Sequence, residues 1–145
     1  MTRAYVSAVV PAEAAEVWAV VRDFGGLAGW HPQIARSEIT SGGDPAAVGV
    51  VRSVRFAAAR IGTEERLVTL DDVSRTLGYE VAEHPFPARR IAAVMRVSPV
   101  TDSGHTFVEW WADLDVDAAD EPDSAGFVTG LYGAGLAALR ERFAA

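Results

Sequence analysis

Apolar residues recur along this chain in two rhythms. Residues 5–10 (Tyr-Val-Ser-Ala-Val-Val) read as a strand closed by Pro11. Over residues 12–24 the apolar positions Ala14, Val17, Trp18 and Val21 return at helical spacing, with Glu13 and Glu16 near the positive helix end. Gly25 and Gly26 end that helix, and residues 27–32 form a short second helix or loop. From there the period is two. Strands are predicted over 34–40, 48–56, 62–70, 75–81, 91–100 and 105–116, separated by turn chemistry such as Ser41-Gly42-Gly43-Asp44-Pro45 and Thr101-Asp102-Ser103-Gly104. The prolines of His84-Pro85-Phe86-Pro87 forbid a regular ladder and stop the strand at 75–81. The acidic stretch 117–123 is a loop. Ser124 is placed as the N-cap of a last helix that reaches about Phe143.

In that helix Phe127, Leu131, Gly135, Leu139 and Phe143 fall four apart along one face. Gly126, Gly130, Gly133 and Gly135 lie among them, each costing roughly 1 kcal/mol relative to alanine in a helix interior. Such glycines let something approach the backbone or leave room beside it. The element order predicts an α+β fold: a curved antiparallel sheet of about seven strands (β-α-α-β6-α) wrapped round the C-terminal helix, in one domain over residues 1–145. A bent sheet on a single helix leaves space between them, so an internal cavity is expected.

Side-chain alternation says what faces it. Val50, Arg52, Val54 and Phe56 share a face, as do Thr63, Glu65, Leu67 and Thr69. Leu77, Tyr79 and Val81 continue the wall, followed by Ile91, Ala93, Met95 and Val97. On the last strand Val108, Trp110, Ala112, Leu114 and Val116 point in, while Glu109, Asp113 and Asp115 point out. A turn centred near Ala59-Arg60 sets Val54 opposite Glu65, with Arg52 diagonal to it. The wall is thus aliphatic and aromatic, with Glu65, Tyr79 and Arg52 as its polar members.

Composition narrows the chemistry. The net charge of −7 argues against nucleic acid, which needs clustered Lys and Arg. Lysine is absent, which removes Schiff-base catalysis by its side chain, and cysteine is absent, which removes disulfides and thiolate chemistry. No apolar run approaches a membrane span, and the N-terminus lacks the layout of a signal peptide. A cytoplasmic protein, monomer or homodimer, is the expectation. His31, His84 and His105 are scattered without ligand spacing, so no metal is expected, and no phosphate loop or nucleophile elbow points to a cofactor or a serine hydrolase.

The segments "VWAVVRDF", "WHPQI", "VGVVRSV", "ERLVTLDD", "LGYEV", "VEWWADLD" and "GLAALRERF" together resemble the helix-grip superfamily. It comprises polyketide cyclase/dehydrase-like proteins, birch-pollen-allergen-like proteins, START lipid-transfer domains and the plant abscisic-acid receptors. The resemblance covers nearly the whole chain, and "ERLVTLDD" with the glycine-aromatic strand after it is most similar to the receptors and to bacterial cyclase-like relatives. It implies a cavity for a small hydrophobic molecule, a basic group at His31 beside Trp30, and a cavity-lining carboxylate at Glu65. The receptors' proline-containing gate is missing, since Ala57-Ala58-Ala59-Arg60-Ile61-Gly62 stands in its place. His84-Pro85-Phe86-Pro87 occupies the other entrance loop.

The expected ligand-binding set is therefore Trp30, His31, Arg52, Val54, Phe56, Glu65, Tyr79, Ile91, Ala93, Met95, Trp110, Phe127, Leu131 and Gly135. Two roles stand against each other for its polar members. His31 is either a structural residue bonded to backbone or a pocket group able to donate, accept or change charge. Glu65, costly to bury alone, is answered by Arg52, by water or by a ligand; the first case is an ion pair that only holds the sheet. Two functions follow: a module that binds a polyketide- or lipid-like molecule, or an aromatase/cyclase in which His31, Glu65 and Tyr79 move protons during aldol closure and dehydration. A ligand sensor with a protein partner rests on the receptor likeness alone.

Overall fold

A computed structural model describes residues 1–144. In chain order its elements are β1 (Thr2–Val10), α1 (Ala14–Val21), a 3-10 helix at Phe24–Gly29, β2 (Ile34–Ile39), β3 (Val51–Phe56), β4 (Gly62–Asp71), β5 (Thr76–Glu83), β6 (Ala88–Pro99), β7 (Thr106–Val116), a 3-10 turn at Ala118–Asp120 and α2 (Glu121–Arg142). The strands form one antiparallel sheet in the order β1-β7-β6-β5-β4-β3-β2. It curves round α2, which packs on β1 and β7, while α1 packs on β6. This is the helix-grip arrangement expected from the element order.

Local chemistry moves several boundaries. The expected helix over 12–24 stops at Val21, and the chain re-forms as the 3-10 helix Phe24–Gly29, which buries Phe24 and Leu27 under the sheet end. α2 starts at Glu121, three residues ahead of Ser124, and Asp120 flanks it without a side-chain cap bond. Pro122 explains the early start: its fixed φ suits a first helical turn, and Glu121 and Asp123 complement the positive helix end. The prolines of residues 84–87 are confined to the β5–β6 connection, so both flanking strands run longer than expected.

Two irregularities bend β4 against β5, at Glu64/Glu65 and at Leu67/Thr69. An extra residue on one strand kinks it and resets its alternation. Thr69, expected to face inward, is exposed for this reason, and Leu70 is partly buried instead. Across β3 and β4 the pairs are Arg52 with Glu65 and Val54 with Thr63. Arg52 therefore stands directly opposite Glu65, where Val54 was expected.

The inner face of β6 and β7 is closed by Ile91, Ala93, Met95, Val97, Val108, Trp110, Ala112, Leu114 and Val116, all buried. The outer face carries the acids as expected, each against arginine: Arg3 with Asp113, Arg96 with Glu109 and Arg89 with Asp115. At the other end of the sheet the Asp72 carboxylate in the β4–β5 turn accepts from Trp18 Nε1 at 2.8 Å and from Arg22 Nε at 2.9 Å. That anchors α1 to the turn.

Candidate functional site

The face that α2 turns to the sheet consists of Val128, Tyr132, Gly135, Leu136 and Leu139. It is not the four-spaced row read from the sequence. At 3.6 residues per turn each step of four advances the row by roughly 40° around the helix, so such a row leaves the core. Phe127 at its start is 45% exposed and Leu131 is half-buried, whereas Tyr132 lies inside.

Of the four glycines, Gly135 alone is closely approached. A Cβ there would stand 2.7 Å from His31 Cδ2 and 2.8 Å from Trp110 Cζ3, while positions 126, 130 and 133 are open. Gly135 lets two rings rest on the helix backbone. His31 sits in the turn after the 3-10 helix, 2% exposed. Its Nδ1 accepts from the Gln33 backbone N–H at 3.1 Å, which leaves the proton on Nε2, and Nε2–H donates to the Leu131 carbonyl at 2.8 Å. Burial holds its pKa below the ordinary imidazole value, although the bond to Leu131 pulls the other way. His31 is a neutral tie between the turn and α2.

Arg52 and Glu65 form a second closed unit. Nε and Nη2 of Arg52 donate to Glu65 Oε1 at 2.9 and 2.7 Å, and Nη1 donates to the Phe24 carbonyl at 2.8 Å. Thr63 Oγ1 donates to Glu65 Oε2 at 2.8 Å. The guanidinium lies 4.0 Å from the Phe24 ring centroid and 4.7 Å from that of Tyr79. Within the protein the Glu65 charge is answered by Arg52 and Thr63.

The third unit is aromatic. Trp110 Nε1–H donates to Tyr79 Oη at 3.2 Å, and the Tyr79 and Tyr132 hydroxyls are hydrogen-bonded at 3.1 Å. Trp110 and Tyr132 stack with ring centroids 4.0 Å apart and 7° between planes. Burial raises the pKa of Tyr79 to about 12, helped by nearby Glu65, and drives Tyr132 upward as well. Both phenols keep their protons at neutral pH.

Between these units and the N-terminal half of α2 lies a cavity of about 270 Å³. Its apolar wall includes Ile34, Val54, Ile91, Leu114, Val128 and Leu131, and the side chains with polar atoms inside it are His31, Thr63, Glu65, Tyr79, Trp110 and Tyr132. Phe56 from β3, Phe86 from the β5–β6 loop and Phe127 from α2 meet at its mouth, with centroids 5.3 to 6.2 Å apart. Asp120, Asp123 and Ser124 form the remaining rim.

Of the expected set, His31, Val54, Phe56, Glu65, Tyr79, Ile91, Trp110, Phe127 and Leu131 line this cavity. Trp30, Arg52, Ala93, Met95 and Gly135 do not. Trp30, Arg52 and Met95 instead border a gap of about 10 Å³ behind Tyr79 and Trp110, too small to be a ligand site. Ala93 is buried in the sheet opposite Ala112, and Gly135 is covered by His31 and Trp110. The basic group that the superfamily resemblance implied at position 31 is a neutral imidazole, spent on backbone. Ile34, Thr63, Phe86, Leu114, Val128 and Tyr132 line the cavity outside the expected set. Of these Tyr132 adds a polar group from the helix, and its signal is a tyrosine four residues from both Val128 and Leu136, a row one position on from Phe127 and Leu131.

Among the described residues no cluster of three His, Cys, Asp or Glu side chains could hold a metal ion, and no helix is long and apolar enough to cross a membrane.

The profile of a family described as polyketide cyclase / dehydrase and lipid transport matches residues 1–144. The chain belongs to this family. Solved structures agree. A Thermobifida fusca protein is 33% identical, with 99% of this chain and 93% of the other covered at a TM-score of 0.89. The XoxI protein of Bacillus cereus is 26% identical, with coverage of 99% and 96% and a TM-score of 0.87. Ginseng major latex-like protein 151, at 13% identity, coverage of 99% and 98% and a TM-score of 0.81, shares the fold. No curated protein matches the sequence. Family and fold suggest hydrophobic-ligand binding or cyclase-like chemistry.

Proposed function

We propose that this protein binds a small, uncharged, largely apolar molecule in the cavity between the sheet and α2, and does so without transforming it. One observation carries the reading: His31, Glu65 and Tyr79, the three groups the cyclase alternative calls on to move protons, are already engaged inside the protein. His31 has its Nδ1 lone pair on the Gln33 N–H and its Nε2 proton on the Leu131 carbonyl. Glu65 takes bonds from Arg52 on one oxygen and from Thr63 on the other. Tyr79 is held between Trp110 and Tyr132. A general acid or base must have its proton or lone pair free toward the substrate.

Size supports the same reading. An apolar cavity of ~150 Å³ takes up benzene, so about 270 Å³ suits a one- or two-ring molecule. The test is native mass spectrometry of protein purified from its own host. The expected spectrum shows a neutral molecule of that size retained non-covalently and released intact on denaturation. A cavity that never retains or takes up such molecules contradicts the reading.

A further inference from the structure

The hydrogen-bond chain in the cavity wall has one proton too many. Trp110 Nε1–H can only donate, and it donates to Tyr79 Oη. The two tyrosine hydroxyls share one bond, so three donor hydrogens supply only two bonds. Among the described residues no protein acceptor takes the third. Bonds in series polarise one another, which favours the direction Trp110 to Tyr79 to Tyr132. The unspent O–H then sits on Tyr132, which is 5% exposed and lines the cavity.

The charges around it select the partner further. Glu65 lines the cavity, Asp120 and Asp123 stand at its rim, and no lysine or arginine lines it. Arg52 lies behind the wall with each of its three nitrogens already donating. No positive charge there meets a carboxylate.

Building on the binding reading above, we propose that the ligand is a neutral one- or two-ring molecule bearing an acceptor oxygen, of the aryl ketone class, whose oxygen receives the unspent Tyr132 hydroxyl proton. Its rings lie against Ile34, Ile91, Leu114 and Val128. Tyr132 thereby selects a carbonyl over a hydrocarbon of the same shape, and the acidic surroundings select a neutral molecule over an acid.

Dissociation constants for 1-tetralone, tetralin and 1-naphthoate test this. The wild-type protein binds 1-tetralone about tenfold more tightly than tetralin, the worth of one net hydrogen bond, and binds 1-naphthoate more weakly than the ketone. Tyr79→Phe keeps the ketone preference, because the Tyr132 hydroxyl stays free. The double variant Tyr79→Phe/Tyr132→Phe removes both hydroxyls and leaves only the Trp110 N–H, so the preference falls; it is read as the ratio of ketone to tetralin affinity within each variant, in which a change of cavity shape common to both probes cancels. The infrared carbonyl stretch of 1-tetralone bound to wild-type protein falls below its value in cyclohexane, a readout that needs no variant. Equal binding of ketone and hydrocarbon, an unshifted carbonyl, a preference that survives the double substitution undiminished or vanishes in Tyr79→Phe, or tighter binding of the acid overturns the proposal while leaving the binding reading intact. Failure of all three probes to bind overturns both.

Discussion

Arg52 and Glu65 stand directly opposite each other on β3 and β4, both buried, in a bond that closes at 2.7 Å. Charges removed from water are costly, and they persist here because each is fully answered: Glu65 by Arg52 and Thr63, Arg52 by Glu65, the Phe24 carbonyl and two aromatic faces. Glu65→Gln therefore strands a buried guanidinium. We expect it to destabilise the fold by about 3–5 kcal/mol, read by urea denaturation. The double replacement Arg52→Met/Glu65→Leu recovers most of that loss, and the double-mutant cycle gives a favourable coupling. A Glu65→Gln variant as stable as wild type would show that the pair does not hold the sheet.

Gly135 and Gly130 lie on one helix and predict opposite outcomes. A Cβ at Gly135 would meet ring atoms of His31 and Trp110 at under 3.0 Å, whereas Gly130 faces open space. Gly130→Ala gains helix propensity, up to about 1 kcal/mol. Gly135→Ala gains the same propensity but forces two packed rings to move, so a net loss of about 1–2 kcal/mol is expected. Thermal melts of the two variants side by side decide it.

The neutral state of His31 makes stability depend on pH. Its folded pKa is lowered below the unfolded value of 6.5, so below that value the unfolded chain binds a proton that the folded chain refuses. Stability from this group is complete above pH 6.5, and falls as pH drops from there toward the folded pKa. Denaturant midpoints measured across this range should therefore rise with pH, and His31→Gln should flatten that rise. Nitrogen-15 chemical shifts should place the ring proton on Nε2.

If the cavity only binds, a bound ketone keeps its α-hydrogens. Exchange of the α-protons of 1-tetralone in deuterated buffer, followed by proton NMR, should run at the buffer rate with protein present. Acceleration by the wild-type protein that is lost when tetralin fills the cavity would establish enolate chemistry there and the cyclase-like alternative.

Much of this was legible in the chain. Period-two alternation places Val50, Arg52, Val54, Glu65, Tyr79, Met95 and Trp110 on the buried face, because a strand's faces follow from parity alone. Register does not follow from parity. The sequence puts Arg52 diagonal to Glu65, one register step from where it stands, because residues 57–61 do not announce the length of the turn they make. The Leu67/Thr69 irregularity is equally silent, and it moved Thr69 outward. The role of His31 depended on a carbonyl 100 residues away, a relation that only tertiary packing supplies. Tyr132 was hidden by a phase error on α2, and it is the residue on which ligand selectivity now turns.

The central claim is that the space between sheet and helix takes up an apolar molecule. Methyl-resolved carbon–proton NMR during titration with tetralin tests it most directly. The account predicts saturable shifts at the methyls of Ile34, Ile91, Leu114 and Val128, with those of Val9 and Val68 on the outer surface unmoved. Silent cavity methyls, or shifts confined to the outer surface, would contradict it.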